Sequence, residues 1–258
     1  MTAFTVETLD LRQALQAVIV HADPDPENPV VHRVRLEVGG DVTVTATNRF
    51  TAAAALVSIR DSLDGEVDTI DLAPGDVKEV LALFKVDTKG AGDEVLRIEA
   101  DADHVRFTDA SGLFDGKSYR LPRRASLDKF PDIRKLVAAV LARPAATPER
   151  LEVNGRLMGL FSTAAKAYGE TLTVEPTGDR TSLVIGCGES FIGLLMPVST
   201  SEERAAELDE WRRGWLRRLP GVDPERAEEV AVGVRASLAE FDVVDEDQGD
   251  GGGDGGDE

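Results

Sequence analysis

One order of predicted elements recurs along the chain, and this repeat limits the fold more than any other feature. Each copy begins with a short strand, continues with an amphipathic helix and ends with three further strands. The apolar spacing changes from helical to alternating in the same order each time, which is typical of a repeated architecture. In the first copy we predict a strand at Phe4–Glu7, a helix at Leu9–Val20, and strands at Val34–Val38, Val42–Thr47 and Ala52–Ile59.

The second and third copies follow the same order. The second is predicted as a strand at Thr69–Leu72, a helix at Pro74–Phe84, and strands at Glu94–Ala100, His104–Asp109 and Lys117–Leu121. The third is predicted as a strand at Leu151–Val153, a helix at Leu157–Lys166, and strands at Thr171–Glu175, Ser182–Gly186 and Ser190–Pro197.

Three segments lie outside the repeat. Residues 125–149 form a predicted linker that contains Phe130-Pro131-Asp132. After Pro197 the spacing predicts two helices, Glu202–Leu219 and Pro224–Phe241, separated by Pro220-Gly221. Residues 242–258 are acidic and glycine-rich, a composition that cannot bury apolar surface and therefore predicts disorder.

These segments predict an α+β protein of repeated β-α-β-β-β units with a helical C-terminal appendage and a disordered acidic tail. The predicted divisions are a domain of two units, a linker, a third unit, the C-terminal helices and the tail, at residues 1–124, 125–149, 150–200, 201–241 and 242–258.

Charge and cysteine content restrict the function. The net charge of −19 argues against a generally basic nucleic-acid-binding protein, although it allows a small basic face. The single cysteine, Cys187, lies in an apolar run, so we expect a buried thiol and no internal disulfide. Together with the lack of a signal peptide or a long apolar span, this favours a cytoplasmic location.

The sequence has no recognisable catalytic motif. The three histidines, His21, His32 and His104, are far apart in sequence, and no phosphate-binding loop, zinc-ligand spacing or nucleophile motif is present. We therefore predict no catalytic residue, no metal ligand and no cofactor. A small enzyme that uses scattered polar residues remains an alternative.

Three segments carry a resemblance to a known family. They are VTVTATNRFTAAAALV (Val42–Val57), SYRLPRRASLDKFPDIRKL (Ser118–Leu136) and GLLMPVS (Gly193–Ser199). Over residues 4 to 199 the chain resembles the bacterial sliding clamp, the β subunit of DNA polymerase III. It departs from that family at Asn48, where an acid is usual, at Arg49–Ala52, where Gly-His-Arg-Leu is usual, and at Val198 and Ser199, where Met-Arg is usual.

The resemblance implies an apolar cleft that receives short peptides from DNA polymerase and clamp-loader-type proteins. Methionine suits such a cleft because its unbranched side chain can repack around different ligands. The implied cleft residues are Thr47, Phe50, Ala52, Pro131, Arg134, Leu136, Leu195, Met196, Pro197 and Val198.

The resemblance also implies a homo-oligomeric ring whose inner helices face duplex DNA without reading its sequence. The implied DNA-facing residues are Arg12, Gln16, Lys78, Lys85, Arg156 and Lys166. Rings of this family contain twelve units, whereas this chain has three, so four copies would be needed and the unpaired third unit would need a partner. The helix with Trp211 and Trp215 could instead cap that unit, bind a partner or contact DNA.

The function implied by the resemblance is that of a non-catalytic DNA replication accessory factor, a polymerase processivity factor that encircles duplex DNA. The alternative is a clamp-fold peptide-binding or regulatory module that does not encircle DNA. A small enzyme is the second alternative.

Overall fold

Two antiparallel sheets organise the first part of the chain. The computed structural model describes residues 1–61, 64–86, 94–125, 129–145, 150–178 and 182–219. The chain divides into one unit at Met1–Val198 and a second that begins at Ser199.

The strands are β1 (Thr2–Glu7), β2 (Val34–Val38), β3 (Asp41–Thr47), β4 (Thr51–Ser58), β5 (Asp68–Leu72), β6 (Val95–Ala100), β7 (His104–Asp109), β8 (Ser118–Pro122), β9 (Leu172–Pro176), β10 (Leu183–Cys187) and β11 (Phe191–Leu195). The helices are α1 (Thr8–Ile19), α2 (Pro74–Leu83), α3 (Ile133–Leu141), α4 (Gly155–Leu160), α5 (Ser162–Tyr168) and α6 (Glu202–Arg218).

The first two repeat units exchange their first strands. The four-stranded sheet has the order β1-β6-β7-β8, so the first strand of the first unit belongs to the sheet of the second. In return β5, the first strand of the second unit, pairs antiparallel with β2. This exchange joins the two units into one domain, because neither sheet is complete without a strand from the other unit.

The third unit continues the sheet of the first. The seven-stranded sheet has the order β5-β2-β3-β4-β11-β10-β9, and β4 pairs antiparallel with β11 from Thr51↔Leu195 to Ala55↔Phe191. Small alanine side chains occupy much of β4. The last strands of the first and third units therefore meet at the centre of a continuous sheet.

The core lies between the sheets and the helices. Helix α1 buries Leu11, Leu15 and Val18, which share one face because they are spaced by three or four residues. On α2, Pro74 occupies the first turn, where its missing N–H costs no helical hydrogen bond, and the Asp76 carboxylate accepts a hydrogen bond from the Ala73 amide. Both helices thus begin where the sequence predicts and present an apolar face to the sheets.

The α+β repeat architecture predicted from the sequence is confirmed, with three local corrections. The predicted strand Leu151–Val153 is wrong, because only Glu152 makes an isolated bridge, to Val198. The single helix predicted at Leu157–Lys166 is two helices, and the Phe161 amide bonds to the Met158 carbonyl three residues earlier where they meet. The predicted linker contains α3, which the sequence analysis missed.

The C-terminal part is described as far as Leu219. Helix α6 begins at an N-cap where the Ser201 hydroxyl accepts a hydrogen bond from the Arg204 amide, and it buries none of its residues. The rings of Trp211 and Trp215 pack edge to face, 6.3 Å apart. The predicted helix Pro224–Phe241 and the predicted disordered tail lie outside the described residues. No helix within the described ranges is both long and apolar enough to cross a membrane.

Candidate peptide-binding site

The ends of β4 and β11 form the centre of the candidate site. The Met196 amide donates a hydrogen bond to the Phe50 carbonyl oxygen at 2.9 Å, which continues the pairing of Thr51 with Leu195 by one step. This bond joins the Ala-Thr segment of the first unit to the Met-Pro segment of the third. Phe50 and Met196, which are 60% and 54% exposed, are therefore neighbouring apolar side chains on the surface.

A tight loop presents Phe50 to solvent. The Asn48 side-chain oxygen accepts hydrogen bonds from the Phe50 and Thr51 amides at 3.0 and 2.8 Å, a common way for asparagine to stabilise a turn. Arg49 has a positive φ of 77°, a conformation in which a non-glycine residue is uncommon. Its guanidinium donates a hydrogen bond to the Asn28 side-chain oxygen at 3.0 Å. The Asn48 and Arg49 hydrogen bonds thus hold a fixed turn with an outward phenylalanine.

Helix α3 lies across the outer face of the seven-stranded sheet. Its inward residues Ile133, Val137 and Val140 follow a spacing of four and three residues, so they share one face of the helix. They form a second apolar cluster with Phe130 and with residues of β4, β10 and β11, namely Ala52, Ala54, Val184 and Leu194. The Phe-Pro-Asp segment is thereby held on the same sheet that carries Phe50 and Met196.

The start of α3 is fixed by its N-cap. The Asp132 carboxylate accepts a hydrogen bond from the Lys135 amide at 3.0 Å, and this bond, with the Lys135 ammonium, holds the pKa of Asp132 below its usual range. The exposed Pro131 precedes it directly. Because a carboxylate also interacts favourably with the positive end of a helix, Asp132 defines where α3 begins.

A buried ion cluster anchors Phe130 to the sheet. Asp71 accepts hydrogen bonds from the guanidinium groups of Arg33 and Arg35, with closest distances of 2.7 and 2.8 Å. Both oxygens of the Asp71 carboxylate accept hydrogen bonds, as a buried charge requires. The Arg35 guanidinium, oriented in this way, lies over the Phe130 ring. Phe130, which packs against α3, is therefore in contact with the buried ion cluster of Arg33, Arg35 and Asp71.

The predicted cleft residues divide into a buried support and an exposed surface. Thr47, Ala52 and Leu195 are buried, and the Thr47 hydroxyl donates a hydrogen bond to the Thr51 carbonyl at 2.7 Å. Pro197 is half-buried, and the Arg134 guanidinium lies 3.1 Å from the Glu37 carboxylate. The exposed apolar members, which we call the junction surface, are Phe50, Pro131, Leu136, Met196 and Val198.

A groove that the sequence analysis missed opens on the same face of the sheet. It has a volume of about 520 Å³ and lies between α3 and the sheet, at the end of the β4–β11 pair opposite to Phe50 and Met196. Its apolar lining includes Leu56, Val137, Leu141, Val184 and Ile192. The spacing of Ile133, Val137 and Val140 after the capping residue Asp132 was the signal that could have revealed α3 and hence this groove.

The predicted DNA-facing residues occupy the helices. Lys78 and Lys85, on and just after α2, and Lys166 on α5 are exposed, as is Arg156 on α4. Gln16 is half-buried. The Arg12 guanidinium donates hydrogen bonds to the carbonyl oxygens of Leu81 and Phe84 at 2.5 and 2.6 Å. Arg12 therefore caps the end of α2, and the exposed cations of this set lie on α2, just after it, and on α4 and α5.

The joint between the first and third units contains a fully buried histidine. The His21 Nδ1 lies 3.0 Å from the Thr51 hydroxyl, and its ring packs 4.6 Å from that of Phe161. Burial lowers the pKa of His21 to about 3, so the ring is neutral near pH 7. A Cβ atom at Gly193 would lie 2.3 Å from Phe161, which explains why glycine occupies the middle of β11. The geometry of this joint sets the position of β11 beside β4.

Comparison with known proteins gives a likeness in fold. No protein-family model and no curated protein sequence matches the chain. The DNA polymerase III β subunit from Thermotoga maritima is similar, with a TM-score of 0.57 at 14% identity over 78% of this chain and 65% of that chain. The sliding clamp from Bacillus subtilis has a TM-score of 0.56 at 14% identity over 77% of this chain and 64% of that chain. The β subunit from Pseudomonas aeruginosa has a TM-score of 0.53 at 14% identity, and 67% of its chain is covered.

These matches establish that the chain has the sliding-clamp fold. The sequence identity is low, and the chain spans about 65% of the length of the first clamp chain it matches. The resemblance to sliding clamps that the three short segments carry is thus confirmed at the level of the fold.

Proposed function

We propose that this chain is a sliding-clamp-like processivity factor that encircles duplex DNA as a homo-oligomer and binds partner peptides at the junction surface. The observation that carries the proposal is the meeting of the three family-like segments on one sheet face, through the Met196–Phe50 hydrogen bond and the packing of Phe130 against β4 and β11.

The junction surface has the chemistry of a peptide-binding site. Phe50, Met196 and Val198 are large apolar side chains that are about half-exposed and lie at the end of the β4–β11 pair. Burying a Leu or Phe anchor of a peptide against them would contribute about 2 kcal/mol per anchor. Partners with short apolar motifs, such as a DNA polymerase or a clamp-loader-type protein, fit this surface.

The proposed DNA contact is weak and independent of sequence. The contacts to phosphates would come from the helices, through Lys78, Lys85 and Lys166. Each neutralised phosphate raises the affinity for DNA and slows sliding, so a sliding protein needs only a few such contacts. The net charge of −19 would keep DNA away from the remaining surface. The factor would act by topology and would have no catalytic residue of its own.

A second candidate function has a specific observation in its favour. The turn at Arg49–Ala52 differs from the Gly-His-Arg-Leu that is usual in sliding clamps. This altered turn favours a peptide-binding or regulatory module that does not encircle DNA. Binding of a closed circular duplex distinguishes the two, because a ring slides off only when the circle is cut.

The test of the proposed function is a peptide-binding measurement with matched variants. Met196→Glu should reduce the affinity for a fluorescein-labelled peptide with Leu and Phe anchors by at least about tenfold, since a charge would enter the contact. Leu113→Glu, at an exposed leucine in the loop before β8, is the control and should leave affinity unchanged. Equal affinities of the Met196→Glu variant and the wild-type protein, with both folded by circular dichroism, would refute the site.

A further inference from the structure

The charge of helix α6 is divided between its two halves. Its first part, residues 202–210, contains five acids and one arginine, whereas residues 211–218 contain four arginines and no acid. Arg217 and Arg218, in the last turn, also interact favourably with the negative end of the helix. That effect does not account for Arg212 and Arg213, which lie before the last turn. In a chain with a net charge of −19, the second half of α6 is therefore a concentrated basic segment.

The same half of α6 carries both tryptophans of the chain. Trp211 and Trp215 are four residues apart, so they share one face of the helix, and they are 62% and 48% exposed. Their rings meet edge to face. Arg212 and Arg218 lie three residues before and after Trp215, so both are its neighbours on the helix surface, and both are exposed. We call these four residues the tryptophan face.

Exposed tryptophans beside arginines have the chemistry of a binding site for single-stranded nucleic acid. An indole ring can stack on a base, and such stacking tolerates any base because every base has a flat π face. A guanidinium can neutralise a phosphate or stack on a base. A duplex offers phosphates but few free base faces, because its bases are stacked on one another. Rings and cations on one face therefore favour unpaired bases over a duplex.

The acidic half of α6 argues against an anionic lipid surface as the partner. A helix at a membrane surface lies along the lipid with its apolar face buried. Glu207 lies four residues before Trp211 and therefore shares its face, so it would be brought to the negative lipids together with the ring. A strand of nucleic acid can contact the second half of the helix alone. The distribution of charge thus favours nucleic acid.

We propose that the tryptophan face of α6 binds single-stranded nucleic acid without sequence preference. Bases stack on Trp211 and Trp215, and Arg212 and Arg218 contact the phosphates on either side. This site goes beyond the proposed function, in which cations elsewhere in the chain face a duplex. It lies wholly within α6 and depends neither on a ring nor on the junction surface.

The first experiment follows the tryptophan fluorescence of the full chain during titration with an oligothymidylate of about 20 nucleotides, a length that exceeds one binding face. Both tryptophans lie on the proposed face, so stacking should quench the emission until the site is saturated. A duplex of the same length should quench it less. Binding of the single strand without quenching would place the contact elsewhere and overturn the proposal. A response to phosphatidylserine vesicles but not to the strand would also overturn it.

The second experiment separates stacking from apolar contact, with affinities measured by the fluorescence anisotropy of a labelled strand. Trp215→Leu keeps an apolar side chain but removes the ring, and it should weaken binding by at least about fivefold. Trp215→Phe keeps an aromatic ring and should lose less. Circular dichroism checks that both variants retain their helices. Equal affinities of the Trp215→Leu variant and the wild-type protein would overturn the proposal.

The third experiment tests the arginines through the dependence of binding on salt. The logarithm of the affinity should fall linearly with the logarithm of the salt concentration, and Arg218→Gln should reduce this slope by about 0.7, the value for one phosphate of a single strand. Arg60→Gln, at an exposed arginine shortly after β4, is the matched control and should change neither slope nor affinity. Equal slopes for the Arg218→Gln variant and the wild-type protein would overturn the proposed phosphate contact.

This inference and the proposed function can fail separately, because the tryptophan face and the junction surface have no residue in common. Peptide binding by a protein whose fluorescence the strand does not quench would overturn the inference and leave the peptide site in place. Quenching by the strand in a protein that does not bind the labelled peptide would support the inference and remove the proposed function.

Discussion

The guanidinium carbon of Arg35 lies 4.4 Å from the centre of the Phe130 ring. Arg35 is held by Asp71 in the interior of the seven-stranded sheet, and Phe130 begins the segment that leads into α3. The contact therefore couples a buried ion cluster to the wall of the candidate site. It also explains how a segment without sheet pairing keeps a fixed place on the sheet.

Replacing Phe130 should loosen α3. Phe130→Ala removes the cation–π contact and the packing against β4 and β11, and we expect the free energy of unfolding to fall by about 3 kcal/mol. Urea denaturation measures this. Phe114→Ala is the control, because Phe114 is 84% exposed and should lose less than about 0.5 kcal/mol. Equal effects of the two changes would contradict the role of Phe130.

Adding one methyl group to β11 should destabilise the joint between the first and third units. In Gly193→Ala the new Cβ would lie 2.3 Å from the Phe161 ring, so the ring or the strand must move, at a cost of about 1–3 kcal/mol. Gly159→Ala adds the same group in α4, where nothing lies within 4 Å, and should be neutral or slightly stabilising. Thermal unfolding of both variants tests the difference.

The stability of the fold should depend on pH through His21. Its pKa is lowered to about 3 by burial, whereas an unfolded histidine has a pKa of about 6.5. The unfolded chain takes up the proton first, so His21 makes the free energy of unfolding decrease as the pH falls from about 6.5 towards about 3, by about 1.4 kcal/mol per pH unit. His21→Gln should remove this part of the slope, and parallel curves for the variant and the wild type would contradict it.

The turn that presents Phe50 should require an acceptor at position 48. Asn48→Leu removes the oxygen that accepts from the Phe50 and Thr51 amides, and we expect the free energy of unfolding to fall by about 1–2 kcal/mol. Asn48→Asp retains an acceptor and should change stability by less than about 0.5 kcal/mol. Urea denaturation separates the two outcomes, and a tolerated leucine would show that the turn forms without the side chain.

The sequence was most informative where the apolar spacing was regular. Strands β2 and β7 have the predicted bounds, and α1 and α2 begin within one residue of their predicted starts. The sequence missed α3 because its nine residues lie in a segment interpreted as a linker after a proline. Leu151–Val153 was predicted as a strand because it alternates apolar and polar residues, but in the structure only the isolated bridge from Glu152 to Val198 forms there.

The candidate site was predicted in part. The three family-like segments identified its components, and Phe50 and Met196 are in fact hydrogen-bonded neighbours. The support of Phe130 by Arg35 and the groove beside α3 were not predicted. Both depend on contacts between side chains that are far apart in the chain, and no local sequence pattern encodes such contacts.

The amino-acid sequence by itself determined the repeat, most of the strands and helices, and the segments that identify the clamp fold. These properties follow from local spacing, because a helix or strand buries one face whatever its neighbours are. Only the tertiary structure decided that β1 and β5 change places and that β4 meets β11. Strand pairing is decided by backbone hydrogen bonds and by shared burial between distant segments, and these exist only in the folded chain.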